Sequence, residues 1–196
     1  MSNLFQKLEL QAFRAGINPR TDESRKWFRQ KASQLATPNR RSLMQADEIK
    51  LVNRQNPLIG SMNMFFYDPK LKETLPYYDR FPLSIIVGPA PKGFYGLNLH
   101  YLPPLLRAKL LDGLMDITNN KKYDDTTRFQ LSYEMLQGAA KLKFYKPCFK
   151  HYLTQHVRSK LARVPAPEWE IATFLPMADW EGGSARSIYR DSRKMI

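Results

Sequence analysis

Residues 81–101 read FPLSIIVGPAPKGFYGLNLHY, and this stretch decides the predicted fold. Its first seven residues form a short apolar run, and residues 94–101 alternate between large apolar side chains and smaller or polar residues. Both patterns are typical of β-strands. The glycines and prolines of residues 88–93 predict a six-residue turn between them. The sequence therefore predicts an antiparallel hairpin.

Two more segments extend this predicted sheet. Residues 62–67 (MNMFFY) are rich in strand-forming side chains and end at the turn-forming pair Asp68-Pro69. Residues 169–175 (WEIATFL) predict a fourth strand. So few short strands favour a small antiparallel sheet that is curled or closed as an SH3-like barrel.

Between the hairpin and the fourth strand the apolar spacing becomes helical. It predicts helices over 104–116, from Asp124 or Asp125 to residue 140, and over 147–163. In the third of these, Phe149, His156 and their apolar neighbours form one face. The predicted fold class is therefore α+β, with about three helices packed on the sheet.

Residues 1–56 resemble an arm more than a core. Thr21 predicts the start of a helix over 22–35, and a second periodic run from Leu43 to Val52 predicts a helix that ends near Asn56-Pro57. Both helices are basic and weakly apolar. Segments of this composition either lie on the outside of a domain or become fully ordered only against a partner. We therefore predict a helical N-terminal arm, residues 1–56, and a compact α+β domain, residues 57–196.

The 196 residues suit one such domain, and their charge is strongly positive. There are 31 basic and 18 acidic side chains, a formal net charge of +13. No stretch reaches the roughly 20 apolar residues of a membrane span, and the N-terminus lacks a secretory pattern. A single cysteine, Cys148, cannot form an internal disulfide. We expect a soluble, unsecreted protein that binds nucleic acid or another anionic surface.

Seven basic residues and no acidic residue lie between positions 141 and 165. If residues 147–163 form a helix, four of these cations face away from its apolar side, as a phosphate-binding face would. The alternative is an ordinary solvated surface. The candidate residues for binding nucleic acid or an anionic partner are Lys141, Lys143, Lys146, Lys150, Arg158, Lys160 and Arg163.

Catalytic and metal-binding patterns are weak. Cys148, His151 and His156 have metal-capable side chains, but their spacing of three and five residues spreads them around a helix and no fourth ligand lies nearby. We therefore predict no metal, no cofactor and no catalytic residue. His156 is expected to be a buried residue of the apolar helix face, and Cys148 a small buried hydrophobe.

Aromatic residues are concentrated between positions 65 and 101, interleaved with lysines and arginines. Such a pattern occurs where bases of single-stranded nucleic acid stack on aromatic rings. A small sheet also needs most of its rings for core packing. The second interpretation is favoured, because a domain of this size needs most of those rings inside.

Three segments of this region carry a resemblance to a known group of proteins: residues 64–70 (MFFYDPK), 75–83 (LPYYDRFPL) and 93–103 (GFYGLNLHYLP). They resemble a small protein of large contractile-tailed bacteriophages of the T-even kind. The resemblance continues through residues 146–153 (KPCFKHYL) and 174–176 (FLP), and so covers about residues 57–193.

The resemblance implies a non-enzymatic structural component of the virion, in the tail baseplate or the head-tail neck, assembled in the host cytoplasm. Its partners would be other virion proteins in multiple copies, with no membrane and no small-molecule substrate. The alternative is a protein that binds and protects DNA ends during head completion, with double-stranded DNA as its partner. A nuclease is the third hypothesis, and no residue spacing supports it.

Overall fold

The computed structural model describes residues 4–19, 21–44, 59–118, 143–165 and 168–194, together with residues 134, 135 and 138. Its α-helices are α1 (Leu4–Arg14), α2 (Asp22–Gln34), α3 (Arg40–Met44), α4 (Pro104–Thr118), α5 (Trp169–Phe174) and α6 (Ala185–Lys194). Its strands are β1 (Met62–Met64), β2 (Tyr78–Asp79), β3 (Leu83–Ala90), β4 (Gly93–Asn98), β5 (Phe149–Leu153), β6 (Ala162–Arg163) and β7 (Trp180–Glu181). Short 3-10 helices lie at Lys72–Thr74, Leu99–Tyr101, Lys143–Cys148 and Thr154–His156.

Five strands form one antiparallel sheet in the order β5-β4-β3-β1-β6, and β2 pairs with β7 in a separate two-stranded ribbon. Beyond β1, Tyr67 pairs with Val157, so the chain that follows β5 returns to the chain that follows β1. The α+β class and the antiparallel sheet are confirmed. The narrower prediction of an SH3-like barrel is not confirmed.

The predicted hairpin forms, but its turn is tighter than the sequence suggested. β3 continues to Ala90, which pairs with Gly93, so that only Pro91 and Lys92 lie between the strands. Lys92 adopts the left-handed conformation, with φ of 60°. A Cβ atom on Gly93 would overlap the carbonyl of Tyr152 on β5. The six-residue turn is wrong, because the glycine and proline at its start pair within the ladder.

A continuous apolar core covers one face of the sheet and extends between the helices. From the strands it includes Met62, Met64, Leu83 and Ile85, each fully buried. Helices α1, α2 and α4 all contact α5, which lies at the centre of the helical layer. The sequence predicted a strand over 169–175, and this is wrong. Five of the six residues of α5 are buried, so no polar face remains to reveal the helical period.

The predicted helix over 147–163 is also wrong. These residues form β5, a 3-10 turn and the short strand β6. In β5, Phe149 stacks on Tyr95, while Tyr152 points to the other face and packs against Phe94. Because both faces of the strand carry aromatic contacts, the strict alternation that identifies a strand is missing and a helical spacing appears by coincidence.

Among the remaining helices, α4 confirms the prediction over 104–116. The predicted strand over 62–67 is shorter, since β1 ends at Met64. Of the predicted helix that ends at residue 140, the structure describes residues 134, 135 and 138, all helical. The rest lies outside the described residues, as does most of the predicted helix over 43–52.

The N-terminal helices lie on the domain. Helix α2 confirms the prediction over 22–35, and Thr21 begins it with a capping box in which Ser24 N donates to Thr21 Oγ1 and Thr21 N donates to Ser24 Oγ. Phe5 on α1 and Phe28 on α2 join the common core. The division between residues 56 and 57 stays a prediction, and limited proteolysis tests it, because residues 1–56 should be cleaved first.

Candidate nucleic-acid interface

The seven basic residues predicted to bind an anionic partner do not share a helix face. Lys141 lies outside the described residues, Lys143 and Lys146 belong to a 3-10 helix, Lys150 lies in β5, Arg158 and Lys160 lie in the following loop, and Arg163 ends β6. Strands β5 and β6 are opposite edges of the sheet. The structure therefore spreads this group from one edge of the sheet to the other.

The half-buried Lys150 packs its ammonium on an aromatic ring of the protein. Its Nζ atom lies 3.8 Å from the ring centroid of Tyr101, the geometry of a cation–π contact. Burial lowers the pKa of this ammonium group. A desolvated ammonium on an aromatic ring is poorly placed to reach a phosphate.

Arg158 is exposed but paired. Its Nη2 atom donates to Asp68 Oδ2 at 3.2 Å, and Lys72 Nζ donates to Asp68 Oδ1 at 3.2 Å. Hydrogen bonds from Lys72 and Arg158 lower the pKa of the Asp68 carboxyl. Lys146 and Lys160 are exposed and Arg163 is half-buried. Two of the seven predicted residues therefore combine a described, exposed side chain with no ion pair to another described residue.

The metal-capable side chains of Cys148, His151 and His156 make structural contacts. Cys148 is fully buried, and burial raises the pKa of its thiol to about 12. His151 Nε2 donates to the carbonyl of Pro91, and His156 Nδ1 donates to the carbonyl of Asp68, each at 2.9 Å. His156 is half-buried, so the prediction that it lies in the core is wrong. Within the described ranges, no three His, Cys, Asp or Glu side chains converge where they could hold a metal ion.

A buried polar network lies beneath the β2-β7 ribbon. Asp79 is 3% exposed, and its Oδ2 atom accepts from Asn98 Nδ2 at 3.0 Å and from His100 Nδ1 at 2.7 Å. Its Oδ1 atom accepts from the backbone amides of Phe81 and Asp179, each at 3.0 Å. Burial opposes ionisation of Asp79, but His100 and these hydrogen bonds outweigh it and hold the pKa of the carboxyl below its usual range. Because an ionised carboxylate only accepts, the His100 proton resides on Nδ1.

Arg107 extends the network from α4. It is 3% exposed, and its guanidinium donates to the carbonyls of Leu102, Thr173 and His100 and to the hydroxyl of Tyr189. Burial, and then the charge of Arg107, lower the pKa of His100. The buried guanidinium thus balances the Asp79 carboxylate and also ties α4 to α6.

Sequence reasoning overlooked three arginines on α6. Arg186, Arg190 and Arg193 are exposed, and they line a shallow groove of about 600 Å³ together with Ser184, Ser187 and Tyr189. The spacing of four and three residues was the available signal, because it places side chains on one face of a helix. The net charge of residues 166–196 concealed it, because that sum also counts acidic side chains that lie outside α6 and pair with other residues. Glu181, for example, pairs with Arg80 at 3.1 Å.

The comparison with known proteins identifies the kind of chain that carries this surface. Residues 6–192 match a protein family described as the phage T4 terminal DNA protecting protein. The chain belongs to this family. The resemblance to proteins of T-even phages is thereby confirmed, and the match also includes the N-terminal helices, which the resemblance did not cover.

The family description names the protection of DNA and no catalysed reaction. No curated protein and no solved structure matches the chain. Within the described part of the chain, no helix combines the length and the apolar character needed to cross a lipid bilayer.

Proposed function

We propose that this protein binds the ends of double-stranded phage DNA and protects them from degradation. The observation that carries the proposal is the family match over residues 6–192. The net charge of +13 supports it, because neutralising phosphates supplies most of the affinity of a protein that holds DNA without reading its sequence.

The exposed cations add physical detail. Lys146 and Lys160 in the 141–165 block and Arg186, Arg190 and Arg193 on α6 present charge to solvent. DNA is the partner proposed for both groups. Protection then results from occupancy, because an exonuclease cannot thread an end that is already covered.

A protection assay tests the proposal. A linear duplex is incubated with an exonuclease that requires a free end, with and without the protein, and the fraction of full-length strand is measured over time. We expect the protein to slow degradation of the linear duplex at a few copies per molecule. Equal degradation rates with and without the protein would overturn the proposal.

The matched control is an endonuclease acting on a closed circle of the same sequence. A protein that covers ends leaves this digestion unchanged at the concentration that protects the linear duplex. A protein that coats DNA uniformly slows both reactions, and that result would also contradict end protection.

A structural role in the particle is the second candidate, and one observation favours it. On α1, Phe13 is 80% exposed and Leu10 is 49% exposed, an unusual cost for a protein that works alone in water. We propose contact with other virion proteins as the reason. A photo-reactive residue at position 13 should cross-link to a second virion protein in assembling particles, and the absence of any cross-link would remove this support.

A further inference from the structure

We propose that Arg186, Arg190 and Arg193, here called the arginine stripe, form a binding surface for consecutive backbone phosphates of one DNA strand. The inference rests on the proposed function, because it takes DNA as the ligand. It also assigns a DNA-binding surface to α6, whereas the sequence predicted such a surface between residues 141 and 163.

Helical geometry places the three arginines of the stripe on one side of α6. Positions that differ by four and seven residues lie within about 60° of each other around an α-helix. The side chains of the arginine stripe therefore project in one direction. From Arg186 to Arg193 the helix rises about 10 Å, which matches three steps of about 3.4 Å between successive phosphates along one strand of the duplex.

Contacts on the opposite side of α6 fix the rotation of this helix about its axis. Ile188 and Ser192 are 0% and 1% exposed, and Ser192 Oγ donates to the carbonyl of Tyr101 at 2.9 Å. The hydroxyl of Tyr189 accepts from the buried guanidinium of Arg107. Because these contacts hold the helix, the arginine stripe is directed at solvent before any ligand arrives, which lowers the cost of ordering on binding.

Acidic side chains among the described residues compete little for the arginines of the stripe. Within the described ranges, Arg186 and Arg193 form no ion pair, and Arg190 approaches only Asp191, at 3.7 Å between Nε and Oδ1. That aspartate also approaches Lys194 Nζ at 3.8 Å, so it is shared between two cations. The guanidinium groups of the stripe are therefore available to an external anion, and a planar guanidinium can donate two hydrogen bonds to one phosphate.

Two serines beside the stripe cap the start of α6. Ser184 and Ser187 line the groove near the start of α6, where Ser187 N donates to Ser184 Oγ and Ser184 N donates to Ser187 Oγ. No acidic side chain lines this groove among the described residues. The guanidinium groups that line it fit an anion with several acceptor oxygens, such as a phosphodiester.

The test compares two variants that lose the same charge. R186Q/R190Q/R193Q removes the stripe, whereas K7Q/K26Q/R29Q removes three exposed cations from α1 and α2. Binding to a linear duplex is measured over a range of salt concentrations. We expect the slope of log K against log salt to fall by about 2.7 in the first variant, about 0.9 for each lost contact, and to stay unchanged in the second.

Conservative replacement provides a second measurement. R186K/R190K/R193K keeps the charge, so most of the slope should return even if the affinity stays lower because lysine lacks the planar fork. Circular dichroism of every variant checks that α6 remains folded. Equal losses of slope in the two neutral triples, or no loss in either, would overturn the inference.

Two further DNA substrates separate this inference from the proposed function. A closed circle carries backbone phosphates and no end, so equal affinity for circle and linear duplex would overturn end binding while the dependence on the stripe still stands. Linear duplexes with and without a 5′-phosphate distinguish backbone from terminal phosphate. If the stripe variant loses only the preference for the 5′-phosphate, with an unchanged salt slope, the backbone assignment is wrong. No binding to any duplex would overturn both proposals.

Discussion

The two basic regions of the chain differ in what their cations contact. Between residues 143 and 163, the ammonium of Lys150 lies on the ring of Tyr101, and the guanidinium of Arg158 pairs with Asp68. On α6, Arg186 and Arg193 have no acidic partner among the described residues, and they face solvent. Part of the positive charge that the sequence shows between residues 143 and 163 is therefore used within the fold and is not presented to a ligand.

This difference shows that a charge count along a sequence does not predict a binding surface. A cation that is paired or buried within the protein contributes less to the electrostatic potential that a ligand experiences at the surface. Arg107 is the extreme case, because its guanidinium is fully used in holding α4, α5 and α6 together. Substitutions can therefore distinguish cations that hold the fold from cations that are available to a ligand.

The largest expected effect is on Arg107. Arg107→Ala should lower the free energy of unfolding by about 3–5 kcal/mol, because it removes the donor to three backbone carbonyls and a buried cation that interacts electrostatically with the Asp79 carboxylate. Denaturant titration measures this change. The matched surface variant Arg193→Gln should change the free energy of unfolding by less than about 0.5 kcal/mol. Similar losses in the two variants would contradict the distinction between them.

The second prediction concerns the pH dependence of the buried network. Burial lowers the pKa of His100 below its ordinary value of 6.5, so below that pH the unfolded chain binds more protons than the folded one. Stability should therefore fall as the pH decreases from about 6.5 toward the folded-state pKa of His100. In His100→Gln this loss should be smaller, as urea midpoints at pH 7.5 and 5.5 would show.

His151→Gln is the control for that measurement, because His151 is exposed. It should retain the pH-dependent loss of the unmodified protein. If His100→Gln loses as much stability on acidification as the unmodified protein, the pH dependence arises from another group.

The smallest expected effect compares two lysines in their binding to DNA. Lys150→Met should leave the salt slope of duplex binding unchanged, since the ammonium that it removes lies on Tyr101. Lys160→Gln removes an exposed cation and should lower the slope by at most about 0.9, the value of one phosphate contact. A slope that falls by the same amount in Lys150→Met would show that this ammonium leaves the ring to reach DNA.

The parts of the fold that were predictable from sequence have local signals. Thr21 followed by two acidic residues marks the start of α2, and Pro104 suits the first turn of α4. The hairpin was identified from its two apolar runs, although its turn is only Pro91-Lys92. In each case the decisive contacts join residues close in sequence.

The errors share a different physical cause. Five of the six residues 169–174 are buried because three helices enclose α5, and a helical period is hidden where almost every position is buried. Phe149 and Tyr152 pack on opposite faces of one strand, which mimics helical spacing. For the site, the spacing of Arg186, Arg190 and Arg193 was visible in the sequence, whereas the pairing that consumes Lys150 and Arg158 depends on residues up to 90 positions away.

Tyr101 contacts both of these regions, and the neighbouring Trp180 can report on them by its fluorescence. Its ring lies beneath the Lys150 ammonium and meets the indole of Trp180 edge-on at 4.9 Å, while its carbonyl receives the hydrogen bond from Ser192 on α6. We therefore expect the emission of Trp180 to change when α6 leaves this position. In a variant that keeps Trp180 as its sole tryptophan, a shift in emission on adding DNA would report strain transmitted from the arginine stripe to its anchor, and an unshifted spectrum would report a helix that binds without moving.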